Sequence, residues 1–198
     1  MCNLILMGID IGQKREHTAI SVVEFEERET DHRTVHHFVV RHLELLPVGT
    51  SYPAVAARLS QVTRGIRRKN DQSPYLYVDA TGLGQPIIDL LYEETTGIGL
   101  ITPVYFTHGD QRNQEGLQVK LGKAYLVSRL QMLLQTGRLH LPRTAESERL
   151  AEELLNYEIR VDENANDRYG AFRVGAHDEL VTALGLAVQQ EPVRPGIY

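Results

Sequence analysis

Apolar and polar positions form blocks along the chain, and the first blocks predict neighbouring strands. The residues from Leu4 to Ile11 are apolar except for Gly8 and a single carboxylate, Asp10. A run that is apolar on both faces is typical of a central strand covered on both sides. Two further apolar segments follow after short polar turns. We therefore predict a meander of three consecutive antiparallel strands, at about 4–11, 18–26 and 35–45.

The middle of the chain predicts helices that alternate with strands. A helical period predicts helices over 54–66 and 85–95, and apolar runs predict strands over 75–78 and 100–106. The order strand, helix, strand, helix, strand implies parallel pairing through crossover helices. Combined with the antiparallel meander, this order predicts an α/β fold built on a mixed sheet.

The last third predicts helices and one hairpin. Apolar residues spaced three or four apart predict a long helix over 115–135, and a second helix is expected over 145–155. Alternation from 157, followed by a turn-rich segment and an extended stretch to 174, predicts a hairpin. We predict a last helix over 176–190 and a loose tail over 191–198. The stripe of the long helix consists of Leu117, Leu121, Ala124, Val127, Leu130 and Leu134.

Composition narrows the class of protein. A chain of 198 residues fits a single domain spanning 1–198. Its net charge of -5 excludes binding of nucleic acid through an overall basic surface. The single cysteine, Cys2, cannot form an intramolecular disulfide, so we expect a reducing compartment such as the cytoplasm. No apolar run approaches the roughly 20 residues of a membrane span, and no signal peptide is evident.

Carboxylates recur at the ends of predicted elements. Asp10 and Asp79 each end an apolar strand, and Asp178 with Glu179 stands at the start of the last helix. Parallel strands would bring Asp10 and Asp79 together at the edge where ligands bind. A buried carboxylate needs compensation, and oxygen ligands suit Mg²⁺ or Mn²⁺. Two such ions about 3.5–4 Å apart would suit in-line displacement at phosphorus.

The start of the last helix decides which acid joins the other two. At about 100° per residue, His177 projects onto the buried arc, Asp178 onto its edge and Glu179 away from it. This projection favours Asp178 as the third ligand. Simpler roles compete with a shared site. An aspartate that ends a strand is often only a turn residue, Asp178 could be the N-cap of the last helix, and His177 is more often a packed or capping residue than a base. The order of the three acids along the chain favours a shared site.

Three motifs resemble the nuclease domain of viral terminase large subunits, the DNA-packaging motor of tailed phages. They lie at 8–12, 78–84 and 175–184, and the similarity extends through 120–141 and the predicted hairpin to cover nearly the whole chain. These domains belong to the ribonuclease H-like superfamily. The resemblance therefore implies a mixed sheet flanked by helices, followed by a C-terminal hairpin and helix.

The resemblance also implies an activity and a site. It implies a metal-dependent endonuclease that cuts double-stranded DNA, with Asp10, Asp79 and Asp178 at the metal-binding positions. The family usually has two aspartates after the histidine, whereas this chain has Glu179 as the second acid, so Glu179 is a candidate fourth ligand and His177 a supporting residue.

The surroundings of such a domain follow from the same resemblance. The family's ATPase domain and its Walker A loop are missing from this sequence, so the chain is not expected to drive DNA translocation. Expected partners are double-stranded DNA and a terminase small subunit, a portal or a separate ATPase subunit. The expected location is the cytoplasm of a bacterial host, with the gene carried by a phage or prophage.

Contact with DNA would use a local basic region, since the whole chain is acidic. Lys120 and Lys123 are spaced i, i+3 on the predicted long helix and are candidates for contacts with backbone phosphate. A solvated helix face is an equal alternative for each. The absence of tryptophan argues against base stacking as the main binding mode. We expect weak, salt-sensitive and sequence-independent binding.

Three other functions compete with a terminase-like nuclease. Another ribonuclease H-like enzyme, such as a junction resolvase, would share the acids and differ in substrate. The motif at 8–12 also occurs in sugar-kinase and actin-like ATP-binding folds, but 198 residues leave no room for their second lobe. A non-catalytic remnant would keep the acids as structure and act as a binding module. Metal binding and substrate preference discriminate among these functions.

Overall fold

The computed structural model of the protein describes residues 4–13, 15–30, 33–83, 85–95, 99–161, 167–170 and 177–192. The strands are Leu4–Asp10 (β1), Thr18–Glu29 (β2), Thr34–Leu46 (β3), Tyr75–Asp79 (β4), Leu100–Thr107 (β5), Arg112–Glu115 (β6), Gln118–Gly122 (β7), Leu139–His140 (β8), Glu158–Val161 (β9) and Asp167–Gly170 (β10). The helices are Tyr52–Asn70 (α1), Gln85–Thr95 (α2), Lys123–Gln135 (α3), Ala145–Asn156 (α4) and Glu179–Val188 (α5).

The strands form one mixed sheet and one separate hairpin. The sheet has eight strands in the order β6-β7-β5-β4-β1-β2-β3-β8, and β9 pairs with β10. β2 is antiparallel to both β1 and β3, whereas β1, β4, β5 and β7 are parallel neighbours. The predicted meander, the parallel crossovers and the α/β class are therefore confirmed.

The sheet is covered on both faces, and strand alternation decides which residue packs where. Along β1, Ile5, Met7 and Ile9 pack with α1 and α2 on one face. Leu6 packs with α3, α4 and α5 on the other. Since successive side chains of a strand point to opposite faces, Gly8 and Asp10 lie on the α5 face.

Helix α5 packs directly against the backbone of β1. Every residue of α5 is buried. A Cβ added at Gly8 would lie 1.8 Å from the carbonyl oxygen of Ala183, so only glycine permits this approach. At the far end of α5, the Nε–H of Arg129 donates to the Val188 carbonyl, which places a positive charge at the negative end of the helix dipole.

The predicted helix over 115–135 is wrong in its first part. Residues 112–122 form the hairpin β6–β7, with Gly116 in the turn at a φ of 62°, and α3 begins only at Lys123. The alternation of buried Val119 and Leu121 adds a strand beside β5, and this period of two competes with the helical stripe. Leu117 is consequently 60% exposed in the turn.

The C-terminal elements differ in detail from the prediction. The hairpin is confirmed, with β10 beginning at Asp167, while the predicted stretch 171–174 lies outside the described residues. The last helix begins at Glu179 rather than at 176. The prediction of a loose tail from 191 is wrong for Glu191, which accepts hydrogen bonds from Arg138 at 2.6 Å and His36 at 2.8 Å. Residues 193–198 lie outside the described part of the chain.

None of the helices described here is both long enough and apolar enough to cross a membrane.

Candidate functional site

Asp10 and Asp79 lie at the same edge of the sheet and on the same face. β1 and β4 are parallel, and Ile9 is paired with Val78, one residue before each aspartate. Val78 packs towards α1 and α2, so Asp79, like Asp10, is directed to the α5 face. The predicted convergence of two strand-ending aspartates therefore exists in the fold.

Helix α5 brings two further acids to this edge. Asp178 occupies the N-cap position, and Glu179 is the first helical residue. The backbone N–H of His17, which precedes β2, donates to Oε1 of Glu179 at 3.3 Å. Because Asp10 is paired with Ala19 of β2, this contact fixes the start of α5 beside the end of β1.

The helical projection predicted that Glu179 points away from the other acids, and this prediction is wrong. Glu179 is 6% exposed, and its Oε1 also accepts a hydrogen bond from Nδ1 of His177 at 3.1 Å. The projection fails because residues 177 and 178 precede the helix and do not follow its rotation. Burial raises the pKa of Glu179, but hydrogen bonds from its own backbone N–H, His177 and His17 outweigh burial and lower the pKa overall.

The carboxyl group of Asp10 experiences the other three acids directly. Burial raises the pKa of Asp10 well above its ordinary value, and the charges of Asp79, Asp178 and Glu179 raise it further. Lys123, at the start of α3, is the cation that counteracts this shift. The edge of the sheet therefore concentrates negative charge that only one described lysine offsets at Asp10.

Asp79 is oriented by Thr81, two residues later. The Thr81 backbone N–H donates to Oδ1 of Asp79 at 2.8 Å, and the Thr81 hydroxyl accepts from the Phe106 backbone N–H at 2.9 Å. Burial raises the pKa of Asp79, while the Thr81 hydrogen bonds and the charge of Lys123 lower it. The segment after β4 thus ties Asp79 to β5.

The two lysines proposed for DNA contact occupy different environments. They do not share a helix face, because Lys120 lies on β7 and Lys123 begins α3. Lys120 pairs with Glu115 across the hairpin at 3.1 Å and is exposed. Lys123 lies over the ring of Phe106, 5.3 Å from its centroid, and acts electrostatically on Asp10 and Asp79.

The chemistry of the acidic edge fits a hard divalent cation. Its candidate ligands are all carboxylate oxygens, and buried Oε2 of Glu179 has no hydrogen-bond partner among the described residues. Positive charge at this edge would relieve the repulsion that raises the pKa of Asp10. Within the described part of the chain, however, no group of three or more His, Cys, Asp or Glu side chains has an arrangement that could hold a metal ion as it stands.

Three residues that shape this edge were not assigned a role from the sequence. His17 fixes Glu179, and its Nδ1 donates to the Leu46 carbonyl at 2.8 Å, which ties it to β3. Thr81 orients Asp79. Glu153 of α4 accepts hydrogen bonds from the first turn of α5. Only Thr81 has a local signal, because it follows the strand-ending aspartate by two residues, as in an Asx turn.

Comparisons with known proteins identify the fold. No protein-family model matches the chain, and no curated protein matches it significantly. The large terminase nuclease domain of a Thermus phage superposes with a TM-score of 0.62 at 20% identity, covering 93% of this chain and 78% of that domain. The human cytomegalovirus terminase nuclease domain gives 0.59 at 17% identity, with coverages of 93% and 81%.

A third solved structure extends the comparison to a metal-bound domain. The large terminase nuclease domain of bacteriophage SPP1, which carries bound Mn, superposes with a TM-score of 0.53 at 14% identity and covers 94% of this chain and 85% of that domain. At these identities the similarity establishes the fold alone. The chain has the ribonuclease H-like fold of phage and viral terminase nuclease domains, as its motifs led us to expect.

Proposed function

We propose that this chain is a divalent-metal-dependent endonuclease that hydrolyses phosphodiester bonds of double-stranded DNA. The observation that carries the proposal is the convergence of four acids at one sheet edge, where the charges of Asp79, Asp178 and Glu179 all act on Asp10. The terminase-type fold supports the same activity, because the similar structures are nuclease domains.

The acids are proposed as ligands of Mg²⁺ or Mn²⁺, with two ions as the expected number. Asp10, Asp79 and Asp178 would be the principal ligands, and Glu179 the fourth. When bound, such ions lower the pKa of the attacking water and stabilise the leaving 3′ oxygen. The all-oxygen donor set and the unrelieved repulsion around Asp10 support this assignment. Bound Mn in the SPP1 domain supports it by analogy.

The chain's own residues would supply orientation. Asp10 and Asp79 are held at the ends of buried parallel strands, so their backbones are fixed before any substrate arrives. The Thr81 N–H orients the Asp79 carboxylate. His177 is proposed as a supporting residue, because its Nδ1–H donates to Glu179 and holds that carboxylate in place.

Lys123 is the proposed contact for DNA phosphate nearest the acids. Its charge reaches both Asp10 and Asp79, so a phosphate attracted to it would lie next to the candidate ligands. Lys120 is assigned a secondary role, because it is paired with Glu115. Because Lys123 is the one cation among the described residues that acts on Asp10 and Asp79, we propose weak, salt-sensitive binding that does not depend on base sequence.

Terminase-like surroundings complete the proposal. A terminase small subunit, a portal or a separate ATPase subunit are the proposed protein partners, and the cytoplasm of a bacterial host is the proposed location. These assignments follow from the type of fold, since the similar structures are nuclease domains of large terminases.

Cleavage of supercoiled plasmid tests the proposal. The protein is incubated with plasmid in Mn²⁺, Mg²⁺ or EDTA at low salt, with Asp10→Asn alongside. Asp71→Asn is the matched control. Asp71 is the C-cap residue of α1 and lies in the left-handed region at a φ of 54°, which asparagine tolerates. It is not among the acids whose charges act on Asp10. We expect nicking that requires metal, is lost in Asp10→Asn and is retained in Asp71→Asn.

Two results would overturn the proposal. Cleavage that persists in EDTA would show that the activity does not depend on a metal. Cleavage by Asp10→Asn at the wild-type rate would show that Asp10 is not part of the active site. A wild-type protein that binds no Mn²⁺ and cuts nothing would instead favour a non-catalytic binding module. A four-way junction tested in parallel with linear duplex separates a resolvase from a terminase-like nuclease.

A further inference from the structure

The N-terminus of α5 is capped by a side chain from another helix. Asp178 stands at the N-cap position but makes no capping hydrogen bond with its side chain. The N–H groups of Leu180 and Val181, which an N-cap carboxylate ordinarily accepts, donate instead to Oε2 of Glu153 at 2.9 and 3.1 Å. Glu153 therefore performs the capping that the local sequence assigns to Asp178.

This arrangement carries a cost that a local cap would avoid. Glu153 is 4% exposed, and its buried Oε1 has no partner among the described residues. Burial raises the pKa of Glu153 to about 7, and the charge of Glu179 contributes to that rise, against the lowering effect of the two hydrogen bonds. An aspartate at the N-cap position could accept the same donors at the surface of the helix end without burying a second acid.

We propose that Glu153 is a positioning residue that keeps the Asp178 carboxylate at the acidic edge. By accepting the N–H groups of Leu180 and Val181, Glu153 removes the donors that would draw Asp178 back over its own helix end. This inference rests on the proposed function, because it assigns Asp178 to metal. Glu153 contacts the backbone of α5 and is not among the acids whose charges act on Asp10.

Two substitutions at Glu153 and one at the other end of α5 test the role. In Glu153→Gln, the amide oxygen still accepts both N–H groups. In Glu153→Ala, those donors are left for Asp178. Arg129→Ala is the matched control, since Arg129 binds the Val188 carbonyl at the opposite end of α5. Calorimetric titration with Mn²⁺, thermal unfolding and the Mn²⁺ dependence of plasmid cleavage are measured for each.

Mn²⁺ affinity separates positioning from simple stabilisation. We expect Glu153→Ala to weaken Mn²⁺ binding by about 10–100-fold, the usual effect of removing a group that orients a ligand. Glu153→Gln should bind Mn²⁺ nearly as the wild type does. Arg129→Ala should unfold at a lower temperature with unchanged affinity. If Glu153→Ala loses stability but keeps wild-type affinity, or if Glu153→Gln loses as much affinity as Glu153→Ala, the positioning role is wrong.

A metal-free stability cycle tests the same exchange independently of the proposed function. In EDTA, Asp178→Ala is made in the wild type and in Glu153→Ala. If Asp178 takes over the cap when Glu153 is gone, Asp178→Ala should lower the unfolding temperature by about 2–4 °C more in the Glu153→Ala background. Equal effects in the two backgrounds would overturn the inference. A wild type that neither binds Mn²⁺ nor cuts DNA defeats only the proposed function, and this cycle still decides the exchange.

Discussion

Replacing Gly8 with alanine should separate α5 from β1 and misplace the acids without touching any of them. The added Cβ would lie 1.8 Å from the Ala183 carbonyl oxygen and 2.7 Å from the Ala187 nitrogen, both of which are backbone atoms that cannot rotate away. To reach 3.0 Å, below which real Cβ contacts essentially do not occur, the gap to Ala183 must widen by about 1.2 Å. Since Asp178 is the N-cap residue of α5, this shift also moves Asp178.

Both consequences are large enough to measure. Overpacking of this kind costs about 1–3 kcal/mol. In a domain of this size, each kcal/mol lowers the unfolding temperature by about 2–4 °C. A displacement of about 1 Å at a catalytic group can reduce the rate by about 100-fold. We therefore expect Gly8→Ala to unfold earlier in a thermal melt and to nick plasmid in Mn²⁺ at about one hundredth of the wild-type rate.

The same substitution elsewhere controls for the chemical change. A Cβ added at Gly65, an exposed position inside α1, meets no described atom within 4 Å. Gly65→Ala should stabilise the chain by up to about 1 kcal/mol, because alanine favours a helix interior, and should leave cleavage unchanged. Wild-type melting and cleavage by Gly8→Ala would refute the claim that close packing of α5 on β1 places the acids.

Three further predictions concern charge and orientation at the acidic edge. Burial and the neighbouring acids raise the pKa of Asp10 in the folded protein, so in EDTA the free energy of unfolding should fall as pH rises from the ordinary carboxyl range towards the raised value. At pH 8 the free energy of unfolding of Asp10→Asn should therefore exceed that of the wild type by about 1.4 kcal/mol for each pKa unit. This gap should narrow towards pH 4. An unchanged gap would contradict this. Lys123→Ala should reduce the slope of log Kd for DNA against log salt by about one, and Lys120→Ala should reduce it less. Thr81→Val keeps the backbone N–H that binds Asp79 but loses the hydroxyl, which also hydrogen-bonds Asp79 and accepts from the Phe106 N–H. It should weaken cleavage by about 10-fold with little change in melting temperature, and wild-type cleavage would show that Asp79 does not need the hydroxyl.

Much of the fold could be predicted because its core strands carry unambiguous patterns. β1 and β4 are apolar runs that end in a carboxylate, and parallel pairing then brings Asp10 beside Asp79. The hairpin β6–β7 could not be separated from a helix by spacing alone. Leu117 and Leu121 are four positions apart and fit a helical stripe. Val119 and Leu121, however, are two positions apart, are both buried and pair with β5. The same residues satisfy both the helical period and the strand period of two, and pairing with β5 selects the strand.

The acids of the candidate site could be picked out from the sequence, but their arrangement at the sheet edge could not. Projecting residues at 100° each requires that the helix has already begun, and α5 begins only at Glu179. The direction of the Glu179 side chain is instead fixed by His17 and His177, which lie outside the helix. A hydrogen bond across 162 positions of sequence leaves no local signal. The cap from Glu153 is unpredictable for the same reason.

The two ends of α5 explain how an apolar helix can carry acids into a buried edge. Its N-terminus is neutralised by the Glu153 carboxylate and its C-terminus by the Arg129 guanidinium, each of the sign that the helix dipole favours. Because Glu153 accepts the N–H groups of Leu180 and Val181, the Asp178 side chain is not required to cap α5. Repulsion around Asp10 then remains in the folded protein, and it is the term that a bound cation would remove. Repulsion among the acids destabilises the folded protein at the edge where the proposed chemistry needs charge, and the close packing of α5 on Gly8 offsets this cost.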